Sequence, residues 1–183
     1  MPVPSTDFKK AIKQLSDKEK EAVILKAVRR DAELYELLSY ELLPEVSLEQ
    51  VVAETSERIH DLMHNPTGRI FSKGISRSLR KSIKEIARFK RITKDAKGEI
   101  DLHIYLLKLI FDNFSGQFES QYKSFFVTTA RLVLRSMQLI RKKLHPDYHL
   151  EYKADLDGFL AHLHARSKSK HLSFALPAGF DLE

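Results

Sequence analysis

The sequence predicts an all-α fold: a single domain of about eight packed antiparallel helices closed by an extended C-terminal tail. Three observations predict it. Apolar residues recur at three- and four-residue spacing along most of the chain, period-two runs of Val, Ile and Thr are missing, and Ser, Asp, Pro and Gly punctuate the pattern where helices should begin and end.

Taken in order, a first helix opens near Ser5 and carries Phe8, Ile12 and Leu15. Ser16 with Glu19 three residues on forms a capping box for a second helix, whose apolar residues are Val23, Ile24, Ala27 and Val28. A third begins at Asp31, carries Leu34, Tyr35, Leu38 and Leu42, and stops at Pro44. Ser47 and Gln50 give a further capping box for a helix lasting to about His64, and Asn65-Pro66-Thr67-Gly68 is a turn. A basic helix follows from Ile75 to Ile92, then one from Glu99 to Phe114, a break at Ser115-Gly116, and a long helix from Phe118 to about Leu144. Asp147 is placed to cap a last helix reaching about Ala165.

The helix from Glu99 is apolar over most of its circumference, leaving Asp101, Lys108 and Asp112 as a narrow polar strip, so it should be central. Its successor has a stripe of Tyr122, Phe125, Phe126, Ala130, Val133, Met137 and Ile140 expected to pack on it as core. The domain reads as residues 1–166, with 167–183 as an apolar arm.

Residues 8–44, two helices joined closely around Arg29-Arg30-Asp31, resemble the helical hairpin of HEAT and armadillo-like repeat proteins. The resemblance implies antiparallel helix pairs, as a short right-handed array, and carries no functional residue; no fixed-period repeat recurs downstream, and a compact bundle is the alternative.

Composition narrows the function. The chain has no cysteine, which excludes thiolate catalysis and cysteine zinc sites, and no apolar segment behind Met1 marks a secretory signal, so the cytoplasm is expected and a membrane is not. There is no Gly-x-Ser-x-Gly elbow and no phosphate-cradling glycine loop, so an enzyme is not expected and no cofactor is implied.

Charge supplies the leading candidate. Residues 31–64 carry nine acidic and one basic side chain, while residues 69–97 carry eleven basic and two acidic. On a helical wheel centred on Ile75, Leu79, Ile83, Ile86 and Phe89 fall within about 80° of it, whereas Arg77, Arg80, Lys81, Lys84, Arg88 and Arg91 fall between about 140° and 240°. Six cations on one strip, with Ser76, Ser78 and Ser82 expected at its flanks as hydroxyl donors, match contact to successive phosphates of a nucleic acid. The competing expectation is neutralisation at home by Glu54, Glu57 and Asp61 of the preceding helix.

Histidine supplies a weaker candidate. Glu57, His60 and His64 have spacings that place two imidazoles and a carboxylate near one divalent metal, but no second Glu-x-x-His stands elsewhere, and a solvated helix face is the alternative. His103 reads as a satisfied core histidine. The arm, with Phe174, Leu176 and Phe180, has three outcomes: lying on its own bundle, exchanging in a homodimer, or docking on another protein.

Overall fold

The structure, a computed structural model, describes residues 3–170 and 172–181. His171, Leu182 and Glu183 of the expected arm, and the side chains of residues 167–170, lie outside what is described, and the backbone of 167–170 continues the last helix where the arm is expected to begin. Among the described residues every regular element is a helix, and none is long and apolar enough to cross a membrane. The chain divides into two compact units, Met1–Val46 and Ser47–Glu183, taken here in turn.

The first unit holds α1 (Thr6–Gln14), α2 (Asp17–Val28) and α3 (Ala32–Leu42). Local capping explains their starts. The Ser5 hydroxyl accepts from the Phe8 amide, Ser16 and Glu19 close a reciprocal capping box, and the Asp31 carboxylate accepts from the amides of Glu33 and Leu34. The apolar positions of these helices are not sequestered: Phe8, Val23, Ile24 and Tyr35 are each half exposed or more.

In the second unit α4 (Leu48–His64), α5 (Phe71–Thr93), α7 (Ser124–Lys143) and α8 (His149–Lys170) surround α6 (Ala96–Asn113), which touches all four. Around α6 the order is α4, α5, α7, α8. The expected central helix is therefore central, with Ile100, Leu106, Leu107 and Ile110 fully buried and Lys108 and Asp112 on its exposed strip. Phe89, Phe118, Phe125 and Phe126 fill the space around it, and Phe118 meets Phe111, Phe125 and Phe126 at ring-centroid distances of 5.4, 5.8 and 5.5 Å.

Several boundaries differ from expectation for tertiary reasons. Ser47 caps α4 through the Gln50 amide, but the Gln50 side chain turns to Glu54 instead of closing the box. The basic helix starts four residues early, at Phe71, because Gly74 lets its first turn press against the preceding loop; a Cβ there would stand 2.9 Å from the Thr67 carbonyl oxygen. The long helix starts late, at Ser124, because residues Ser115–Glu119 form a 3-10 turn that drops Phe118 into the core. That leaves Tyr122 half-buried outside the helix, beneath the Lys73 ammonium at 5.1 Å. A second 3-10 turn, Pro146–Tyr148, precedes α8 and is capped by His145 instead of Asp147.

The arm lies on its own unit. Phe180 is fully buried, its amide donates to Asp157 Oδ1 at 2.7 Å, and its carbonyl accepts from Lys153 Nζ at 2.8 Å. The Arg141 guanidinium covers the Phe180 ring, Arg131 covers Phe174, and the Pro177 carbonyl oxygen sits 2.8 Å from His164 Nε2.

Candidate nucleic-acid interface

The residues that form the basic strip are fixed by what the other side of α5 must bury. Ile75, Leu79, Ile86, Phe89 and Ile92 enter the core, so period 3.6 turns Arg77, Arg80, Lys81, Lys84 and Arg91 outward, all exposed, with Arg88 half-buried at the edge. The six therefore share one face, as their spacing requires. The serines do not flank it. Ser76, Ser78 and Ser82 are buried, and Ser76 and Ser82 donate to the carbonyls of Ser72 and Ser78 in their own helix. Small hydroxyl residues face neighbouring helices because they allow close approach, as where Ser124 of α7 donates to Ser76 at 3.3 Å.

One charged contact between the acidic and basic helices joins their minority charges. Arg58, the single cation of the acidic stretch, lies 3.5 Å from Glu85 of α5 and 3.9 Å from Glu54, and Arg88 reaches the same Glu85 oxygen at 3.7 Å. Glu85 thus joins α4 to α5 and engages Arg88 at the strip's half-buried edge, apart from Arg80, Lys81 and Lys84. Among the described residues, Arg80, Lys81 and Lys84 have no carboxylate within ion-pair distance, and Arg77 bonds only the Thr67 carbonyl, at 3.3 Å.

A second cationic position was not read from the sequence. Glu99, 5% exposed near the start of α6, is held by Lys90 of α5 at 3.8 Å and by Arg135 of α7 at 3.4 Å. Arg135 stays exposed on α7, a helix that packs on α5. The available signal was Glu99 with His103, a polar pair four residues apart outside the Asp101 strip. His103 is 1% exposed and its Nδ1 has no hydrogen-bond partner, so it is a core histidine but not a satisfied one. Burial and, secondarily, the nearby Arg135 charge lower its pKa to about 3, keeping the ring neutral.

The metal candidate does not assemble. His60 and His64 stack on one another with centroids 4.0 Å apart, and His64 Nδ1 faces the His60 carbonyl oxygen at 3.0 Å, so the rings do not converge with Glu57 on a common point. Among the described residues no three His, Asp or Glu side chains stand as a group able to hold a metal. A cleft of about 340 Å³ lies between α4 and α6, floored by Leu48, Val52 and Ala53 and rimmed by Glu49, Asp95, Lys97 and Asp101. Its charges are engaged: Asp95 caps the Gly98 amide, and Lys97 pairs with Asp101, which also accepts from the Tyr152 hydroxyl.

In comparisons with known proteins, no family model, no curated protein and no solved structure matches the chain.

Proposed function

We propose that the chain is a non-enzymatic binding protein whose α5 face contacts nucleic acid. The observation that carries this reading is the placement of Arg80, Lys81 and Lys84: outward, on a rigid helix, and without a carboxylate partner among the described residues. Cations that only balanced the acidic helix would be spent on its carboxylates, whereas Arg88 at the strip's edge meets Glu85 of its own helix, the acid that Arg58 of α4 also reaches. Guanidinium and ammonium groups at this spacing neutralise phosphates and release their counterions on binding. The triple substitution R80E/K81E/K84E should abolish retardation of a mixed nucleic-acid probe at 50 mM salt while leaving the helical circular-dichroism melt in place. No retardation by the unsubstituted protein would sink the reading.

A second reading, association with another protein, is favoured by the first unit. Val23, Ile24 and Leu25, three consecutive residues of α2, are 52%, 50% and 46% exposed, and Phe8 and Tyr35 add to the apolar surface. I24E should then change the sedimentation or pull-down profile; an unchanged profile would count against it.

A further inference from the structure

The same face, on the reading that it binds nucleic acid, also limits which nucleic acid it can take. From Arg77 to Arg91 the strip covers about 21 Å of helix axis. α5 is not free-standing along that length. α4 lies against one flank through the Arg58–Glu85 pair, and α7 lies against the other, joined near its start by Ser124 and Ser76 and further on by Arg135 and Lys90 around Glu99. Helices at ordinary packing distance, curved around α6, make such a three-helix face about 26 Å wide, roughly twice the 12 Å or so of a major groove. The flanking α4 surface is acidic, with Glu54 and Glu57 exposed, and would be driven against phosphates if α5 sank into a groove.

The side chains agree with the shape. All six residues of the strip are Arg or Lys, whose contacts to guanine edges require entry into the groove that the flanking helices oppose, and none is an Asn or Gln of the kind that reads adenine edges. Phe89, the one ring between Arg77 and Arg91, is 1% exposed, so no aromatic platform stands there for unstacked bases. Tyr122, near the start of α5, is covered by Lys73. What remains is phosphate contact over a stiff surface, which favours the ligand with the denser and more rigid line of charge.

We infer that the ligand is double-stranded nucleic acid, bound across its backbone without regard to sequence, with Arg135 of α7 extending the contact beyond α5. Arg135 is suited to this because Glu99 already holds its guanidinium beside the basic helix.

The test is fluorescence anisotropy with two unrelated 20-bp DNA duplexes, a 20-bp RNA duplex and an unstructured 40-nucleotide strand of matched phosphate number. At least one kind of duplex should bind about fivefold or more tighter than the strand, the two DNA sequences should agree within about threefold, and log affinity should fall with log salt at a slope of about −4 to −5. R135Q should weaken duplex binding about two- to fivefold and lower that slope by about one unit, without altering the melt. A strand that binds as tightly as both kinds of duplex, DNA sequences differing by more than about thirtyfold, or an R135Q protein that binds as before would overturn the inference while leaving nucleic-acid binding intact. Absence of binding to every probe would overturn both.

Discussion

His103 and Glu99, one turn apart on α6, are polar side chains in the most buried part of the protein, and they are accommodated differently. Glu99 lies against two cations, Lys90 and Arg135. His103 stays neutral, because its folded pKa is about 3 against an ordinary 6.5. The unfolded chain therefore takes up a proton below pH 6.5 that the folded chain refuses until about pH 3, and stability is lost as pH falls through that window. Between pH 7 and pH 5 this one group costs roughly 2 kcal/mol. Urea unfolding at pH 7 and pH 5 should show a loss of that size, reduced in H103L, where no imidazole is left to titrate; equal losses in the two proteins would exclude the mechanism.

Two glycines at the element scale have opposite expected effects. Gly98 lies where α5 and α6 meet, and a Cβ there would stand 2.7 Å from Cζ of the buried Phe89, so G98A should cost about 1–3 kcal/mol by forcing the ring to move. Gly158, inside α8, has nothing within 4 Å of an added Cβ, and G158A should gain up to about 1 kcal/mol from helix propensity alone. Thermal melts of both variants decide this, and the same sign for both would contradict the packing described. These positions also indicate what the sequence made legible. The apolar period gave α6 and α7 as core and set six cations on one side of α5, because both follow from local spacing. The early start of α5 needed Gly74 to meet Thr67, and the late start of α7 needed Phe118 to fill a hole, contacts that exist only once helices are packed. For the same reason the strip could be read but its seats could not: Glu85 and Glu99 receive partners from other helices, and no window on one helix contains them.

For the molecule as a whole, the arm is held on its unit chiefly around Phe180. Phe180 fills a buried site and its amide and carbonyl are both bonded, to Asp157 and Lys153. The Phe180 amide, with Lys153, lowers the Asp157 pKa, so the contact belongs to the ionised carboxylate and weakens as pH falls into the acid range. F180A should release the arm, seen as cleavage within 172–181 at least about tenfold faster under limited proteolysis, with far-ultraviolet circular dichroism unchanged. Unaltered cleavage would place the anchor elsewhere.

The exposed cations of α5 also have a cost in the absence of any ligand. Arg77, Arg80, Lys81 and Lys84 repel one another across two turns of helix, and that repulsion opposes the folded state most strongly in dilute buffer. Mobile ions relieve it. Raising sodium chloride from 20 to 300 mM should therefore lift the melting temperature of the free protein, an increase that R80Q/K84Q should blunt, although the same salt would loosen any polyanion from the same helix. Ionic strength thus acts as a lever with two opposite arms, one on folding and one on binding, with α5 as the pivot.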